Sequence, residues 1–163
     1  MPVQLTPYLA FRTEARDALA FWASVLGGEP TVSRFGDFGM GTPAEADKVM
    51  HGQLVTSSGL VLMAADRPDD VPLEAENAIS LSLSGGADDL DLLTRWFEGL
   101  AEGGTVHQPL AAAPWGDWFG MLDDRFGIHW MVNIAGADAG AGAGADAEAT
   151  DGQAGADADS PAA

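Results

Sequence analysis

GQLVTSSGLVLM, residues 52–63, recurs 68 positions later as GMLDDRFGIHWM, residues 120–131. In both copies an apolar run leads into a polar turn ending in glycine, Gly59 or Gly127, and a second apolar run follows. Two short apolar runs joined by a glycine-containing turn are typical of a β-hairpin. A pattern that returns at a fixed spacing indicates a duplicated unit. The sequence therefore predicts a domain built from two copies of one unit.

The duplication extends upstream of each hairpin. In both halves a strand is followed by a helical run, with apolar residues at three- and four-residue spacing, and then by two glycines. These features occupy residues 8–11, 13–26 and 27–28 in the first half, and 79–83, 87–101 and 103–104 in the second. The residues alone thus indicate a strand, a helix and two further strands, used twice. The first half is longer between Glu29 and Lys48, and the glycine-rich segment 30–49 is predicted to be irregular, either a lid or a plain connection.

Composition and charge exclude several classes of protein. The chain has 163 residues, 47% of them apolar, and no cysteine, so disulfides and thiolate chemistry are excluded. The net charge of −18, with only seven Lys and Arg, argues against a nucleic acid partner. No apolar run is long enough for a membrane span and no secretory signal is recognisable, so a cytoplasmic protein without membrane contact is expected.

The C-terminal segment differs in composition from the rest of the chain. Residues 135–163 are almost entirely Ala, Gly and Asp, and no aromatic or large aliphatic residue follows Ile134. Such a segment cannot bury enough apolar surface to offset the entropy lost on ordering. We therefore predict one domain at 1–134, with units at about 1–70 and 71–134, and a disordered acidic tail at 135–163.

Alternation along the strands predicts an open, partly polar sheet face. In the run Ile79 to Ser84, Leu and Ile alternate with serines, which places Ser80 and Ser82 opposite the apolar side chains. The same alternation assigns His129, Met131 and Asn133 to the serine face. By the repeat, Met63 belongs to the corresponding face of the first unit, together with His51 and Gln53. A small molecule could bind against these faces.

Several motifs resemble one known superfamily. They are Pro7 to Phe11, Val49 to His51, Trp115-Gly116 and Asp123 to Asn133. Together with the repeated unit, they resemble the vicinal oxygen chelate superfamily, which includes glyoxalase I, extradiol dioxygenases and bleomycin-resistance proteins, and within it the PhnB-like branch. The resemblance implies an α+β fold in which two βαβββ units form a curled mixed sheet around a cavity, with the helices outside. It also implies a homodimer.

Metalloenzymes of this superfamily hold a divalent ion at four inward positions. By resemblance, these positions correspond to Pro7, Met63, Ala78 and Met131. None of the four side chains supplies an oxygen or imidazole for a hard divalent ion. The usual metal centre, and any other cofactor, is therefore predicted to be absent. A metal site formed by His51, His129 and either Asp66 or Asp123 remains an alternative.

The candidate binding residues follow from these faces and from one aromatic cluster. Trp115 and Phe119 lie in a cluster that could cover a flat or cationic ligand or form a hydrophobic dimer contact. His107 is expected to be exposed on a connection after the second glycine pair. The predicted ligand-binding residues are His51, Gln53, Met63, Ser80, Ser82, Trp115, Phe119, His129 and Met131. The predicted function is small-molecule binding; the alternative is a metal-dependent or His-assisted lyase, isomerase or dioxygenase-like enzyme, and no catalytic residue is assigned.

Overall fold

A computed structural model describes residues 5–73 and 79–136 of the chain. The first unit contains β1 (Tyr8–Phe11), α1 (Ala15–Leu26), β2 (Glu29–Arg34), β3 (Val49–Val55) and β4 (Val61–Asp66). The second contains β5 (Leu81–Gly85), α2 (Leu90–Ala101), β6 (Thr105–Ala112), β7 (Trp118–Asp123) and β8 (His129–Ile134). Short 3₁₀ turns lie at Phe35–Phe38, Pro43–Glu45 and Ala87–Asp89. The predicted α+β fold with two βαβββ units is confirmed.

The two units have the same sheet topology. One four-stranded sheet has the order β1-β4-β3-β2 and the other has the order β5-β8-β7-β6. In each sheet the first strand runs parallel to its neighbour and the remaining pairs are antiparallel. The strands of the two sheets do not pair with one another in the described parts of the chain, so the curled sheet is not closed.

Each helix covers one face of its own sheet. Helix α1 buries Ala15, Ala18, Leu19, Trp22 and Leu26, and α2 buries Leu93, Phe97 and Leu100. Both helices lead into glycines with positive φ, 80° at Gly27 and 75° at Gly103, a conformation that other residues adopt only with strain. The helices also contact each other, and the opposite sheet faces stay open.

One buried carboxylate joins the two units. Asp124, 3% exposed, accepts a hydrogen bond from Trp22 Nε1 of the first unit at 2.8 Å and one from Trp130 Nε1 of the second at 3.0 Å. Its other oxygen accepts the backbone N–H groups of Phe126 and Ile128, at 2.9 and 3.0 Å. These four hydrogen bonds replace the water molecules that the carboxylate loses on burial.

Three expectations about the elements were wrong. Residues Pro30 to Arg34, expected to be irregular, form part of edge strand β2. His107 lies within β6 and not on a connection, although it is exposed as expected. Ile79, expected on the buried side of a strand, lies before β5 and is 73% exposed.

Only the start of the predicted tail falls within the described residues. Residues 137–163 lie outside the described residues, as does Ala78. The first two residues of the predicted tail are described, and both make backbone hydrogen bonds: Ala135 N–H donates to Gly85 O, and Gly136 N–H donates to Asp117 Oδ1. None of the helices in residues 5–73 and 79–136 is both long and apolar enough to cross a membrane.

Candidate functional site

The open face of the first sheet carries a row of uncharged side chains. Strand register places Met63 between Tyr8 on β1 and Gln53 on β3. His51 lies two residues before Gln53 on the same face, and its Nδ1 is hydrogen bonded to the Tyr8 hydroxyl at 2.9 Å. Partial burial raises the pKa of the Tyr8 phenol, so the hydroxyl keeps its proton and can donate to the imidazole. This face therefore offers a thioether, an amide and a Tyr–His pair.

The open face of the second sheet is built in the same way. Met131 lies between Ser82 on β5 and Met121 on β7. The predicted face is confirmed for Ser82, which shares it with Met131, and the register also pairs Ser84 with Asn133. Ser80 lies before β5 and is not part of the sheet. Met63 and Met131, which occupy equivalent positions of the sequence repeat, thus each lie at the centre of an open face. Neither central side chain carries a charge.

Trp115 and Phe119 meet at one end of the second open face. Phe119 pairs with Asn133 in the sheet, and the Trp115 ring meets the Phe119 ring edge-on, with centroids 5.7 Å apart. Trp115 is 61% exposed. Asp117 fixes the turn before β7, since its carboxylate accepts hydrogen bonds from Asn133 Nδ2 at 3.0 Å and from the backbone N–H of Gly136 at 3.2 Å. Trp118 alternates with Phe119 on β7 and so points to the other side of the sheet.

A carboxylate between two imidazoles lies at the opposite end of that face. Asp123 Oδ1 is 2.6 Å from His129 Nδ1, and its Oδ2 is 2.8 Å from His107 Nε2. The two imidazole rings are 5.6 Å apart between centroids. Hydrogen bonds from His129 first, and then from His107, lower the pKa of the Asp123 carboxyl. Asp123 is therefore a carboxylate throughout the neutral range.

The metal site that sequence reasoning kept as an alternative does not form as predicted. His51 is bonded to Tyr8, on the other sheet from His129. Asp66 is buried and structural, since its oxygens accept the N–H of Ala15 at 3.0 Å and of Val49 at 2.8 Å. Only His129 and Asp123 of the predicted set come together, and the third member of their cluster is His107, which sequence reasoning missed.

Two open crevices flank the edges of strands β1 and β5. One has a volume of about 710 Å³ and is lined on one side by Leu60 and Leu62, and on the other by Ser80, Ser82 and Trp130. The other, of about 630 Å³, is lined by Tyr8, Arg67 and His129 among others. Of the nine predicted ligand residues, only Ser80, Ser82 and His129 line these crevices. The other six lie on the open faces or, in the case of Trp115, at the end of one.

Three of the four positions that the resemblance assigns to a metal, Pro7, Met63 and Met131, lie in the described residues, and none of their side chains carries an oxygen or an imidazole. Pro7 contributes only its carbonyl, which already accepts the N–H of Met63 at 3.1 Å. Met63 and Met131 offer only thioethers, which are soft ligands that suit a hard divalent ion poorly.

Comparison with known proteins agrees with the fold and with the sequence motifs. Residues 3–133 match the family model described as 3-demethylubiquinone-9 3-methyltransferase. Protein PA1353 from Pseudomonas aeruginosa is 38% identical, with a TM-score of 0.73 over 83% of this chain and 99% of that chain. The putative 3-demethylubiquinone-9 3-methyltransferase, PhnB protein, from Bacillus cereus is 23% identical, with a TM-score of 0.64 over 82% of this chain and 100% of that chain.

A third solved structure has the same fold. The glyoxylase/bleomycin resistance protein/dioxygenase domain from Frankia sp. EAN1pec has a TM-score of 0.53 at 19% identity, over 85% of this chain and 94% of that chain. The family match covers most of the chain, and the repeated βαβββ unit is the architecture that the motifs imply. The chain therefore belongs to the family described as 3-demethylubiquinone-9 3-methyltransferase, and it shares its fold with the PhnB protein and with the glyoxylase/bleomycin resistance protein/dioxygenase domain.

Proposed function

We propose that this chain is a small-molecule-binding protein that lacks the usual metal centre of its superfamily and acts as a homodimer. The observation that carries the proposal is the uncharged central row of each open face: Tyr8, Met63 and Gln53 on one sheet, and Ser82, Met131 and Met121 on the other. Thioethers and aromatic rings favour contact with apolar or flat ligands, and the hydroxyl and amide groups can fix their orientation.

The family description does not carry a methyl-transfer activity to this chain. Methyl-donor and dinucleotide cofactors are commonly held at a glycine-rich turn between a strand and a helix. The corresponding connections here, Arg12 to Glu14 and Gly86 to Asp89, lack the required glycine spacing. A metal-dependent enzyme that uses the metal positions implied by the resemblance would need oxygen or imidazole ligands in place of Met63 and Met131.

The aromatic end of the second face favours a planar, cationic ligand. The Trp115 ring is exposed and is positioned against Phe119, so a flat molecule can stack on the pair. The π faces of such rings attract cations. The net charge of −18 raises the local concentration of cations and opposes the approach of anions.

A second copy of the chain would complete the binding cup. Within one chain the two open faces belong to separate sheets, and the described residues of neither sheet pair with the other. Met63, Met131 and Phe119 are half-buried and have no helix over them. Packing the first face of one protomer near the second face of its partner would cover these side chains and enclose the ligand.

Tryptophan fluorescence tests the proposal directly. Wild-type protein in buffer with a metal chelator is titrated with planar cationic, neutral and anionic aromatic compounds. We expect saturable quenching by the cationic class, and its loss in the Trp115→Phe variant. Trp118→Phe is the matched control, because Trp118 is also partly exposed but points to the other side of the sheet. Absence of any saturable change with all three classes would overturn the proposal.

A further inference from the structure

We propose that His107, Asp123 and His129 form a binding site for a divalent transition metal ion, separate from the positions that hold the metal in the superfamily. One ligand atom of each residue lies within 4.8 Å of the others. Three adjacent strands, β6, β7 and β8, contribute one residue each. Side chains fixed on paired strands hold a more defined geometry than side chains on loops.

The strand register explains why the three residues meet. Asp123 is directly opposite His129 in the β7–β8 pair and opposite Thr105 in the β6–β7 pair. The β6–β7 register then shifts between Val106 and Gln108, which leaves His107 as an extra residue in β6. An extra residue of this kind bends a strand and re-aims its side chain. Here it brings His107 Nε2 to 2.8 Å from Asp123 Oδ2.

The donor set suits a borderline divalent ion. Imidazole nitrogens and a carboxylate oxygen bind Zn²⁺, Fe²⁺, Co²⁺ and Ni²⁺, whereas Ca²⁺ and Mg²⁺ prefer oxygen ligands alone. Three protein ligands leave a fourth position of a tetrahedral site open to water or another small ligand. Donors around one tetrahedral ion lie roughly 3.3 to 3.6 Å apart, given metal–ligand distances of about 2.0 to 2.2 Å. The observed imidazole–carboxylate separations of 2.6 and 2.8 Å therefore require each imidazole to move away from the carboxylate by no more than about 1 Å.

The site is accessible, and within residues 5–73 and 79–136 no lysine or arginine forms an ion pair with its carboxylate. The side chains of His107, Asp123 and His129 are 42%, 37% and 33% exposed, so an ion can enter from solvent. Arg125 is two residues away, but its guanidinium donates to the carbonyl of Glu102 at 2.8 and 2.9 Å and lies 4.4 Å from the centre of the Phe21 ring. Within residues 5–73 and 79–136, Asp123 forms ion pairs only with the two imidazoles.

The first unit shows that the fold does not need this cluster. The hairpin repeat relates Asp123 to Val55 and His129 to Val61, and those valines face each other across β3 and β4. The glycine pair relates His107 to Thr31. One unit therefore forms the same hairpin with small uncharged residues at the three positions. The two histidines and the aspartate are a property of the second unit alone, as expected for a functional site.

Zinc binding to the full chain tests the inference. Wild-type protein is compared with His107→Thr, Asp123→Val and His129→Val, which introduce the residues of the first unit, and with Asp91→Asn, which removes an exposed acid of helix α2. Equilibrium dialysis with Zn²⁺ should give one tightly bound ion per wild-type chain. Loss of a group that merely orients a metal ligand lowers affinity 10- to 100-fold, so loss of a ligand itself should weaken binding by about 100-fold or more. Asp91→Asn should match the wild type.

Cobalt spectra separate coordination from general attraction to an acidic chain. Co²⁺ added to the wild type should give the visible absorption of a tetrahedral nitrogen–oxygen site, and each of the three variants should lose it while keeping the far-ultraviolet circular dichroism of the wild type. Zinc binding of equal strength in the wild type and the three variants would overturn the site, as would absence of stoichiometric binding by the wild type. The ligand titrations above are run with a chelator, so either proposal can fail without the other.

Discussion

At the residue scale, Asp124 links the two units through the indole N–H groups of Trp22 and Trp130. Replacing Asp124 with Ala would leave two indole N–H groups and two backbone N–H groups without their acceptor. A buried donor left without a partner costs about 1 to 3 kcal/mol, so we expect Asp124→Ala to lower the free energy of unfolding by about 3 kcal/mol or more. Urea denaturation followed by tryptophan fluorescence measures the change.

The repeat supplies a matched control for this substitution. Thr56 occupies the position of Asp124 in the first unit, and its hydroxyl accepts the N–H of Leu60 at 3.0 Å in the same turn. It reaches no side chain of the second unit among the hydrogen bonds of the described residues. Thr56→Val should therefore cost much less, about 1 kcal/mol. Equal losses in the two variants would show that the link between units contributes little.

Glu45 should make stability depend on acid pH. Its carboxylate accepts the backbone N–H of Thr42 at 3.0 Å, that of Asp69 at 2.9 Å and the Thr42 hydroxyl at 2.8 Å. These hydrogen bonds lower the pKa of Glu45 from 4.5 to about 2. The unfolded chain therefore binds this proton more readily, so the stabilisation is complete above pH 4.5 and falls away as the pH drops towards 2.

Urea midpoints measured across that pH range test the assignment. The wild type should lose stability on acidification more steeply than Glu45→Gln, whose side chain does not titrate. Glu98→Gln, at an exposed position of helix α2, should keep the wild-type slope. If Glu45→Gln follows the wild-type curve, the hydrogen bonds to Glu45 do not set the acid response.

At the scale of elements, each sheet has a glycine in an inner strand, Gly52 in β3 and Gly120 in β7, that lets the helix pack closely against the sheet. A Cβ at Gly120 would lie 2.8 Å from Phe97 Cε2 and 2.9 to 3.0 Å from backbone atoms of Leu110. A Cβ at Gly52 would meet only the tip of the Leu19 side chain at such short range. Backbone cannot yield as a side-chain tip can, so Gly120→Ala should cost about 1 to 3 kcal/mol and Gly52→Ala less.

Thermal denaturation of the two variants distinguishes these cases. Gly120→Ala should show the larger drop in melting temperature. Both positions have ordinary negative-φ strand conformations, so left-handed strain does not contribute to either loss. A larger drop for Gly52→Ala would mean that Leu19 has no room to move and that α1, not the β6–β7 pair, is the tighter contact.

The elements also show what could be read from the sequence and what could not. The hairpins at 52–63 and 120–131 were predictable because their apolar runs and glycine turns are local features. Strand β2 was missed because proline interrupts its pattern at Pro30; as an edge strand, β2 tolerates the missing N–H. The His107 contact was not predictable, because it depends on the register shift between Val106 and Gln108. The alternation of side chains along the strands predicted the two open faces. It could not predict that these faces belong to two separate sheets of one chain.

At the scale of the whole molecule, the open faces predict a dimer that a single charge can disrupt. Light scattering after size-exclusion chromatography should give a mass of two 16.8 kDa chains for the wild type. Met131→Glu places a carboxylate at the centre of the second open face, and burying it against a partner without a compensating base is costly, so this variant should run as a monomer. Ala20→Glu adds the same charge on the exposed side of helix α1 and should remain dimeric. A monomeric wild type, or a Met131→Glu variant that stays dimeric, would show that the open faces are not the contact, and the ligand would then have to bind to a face that remains open to solvent.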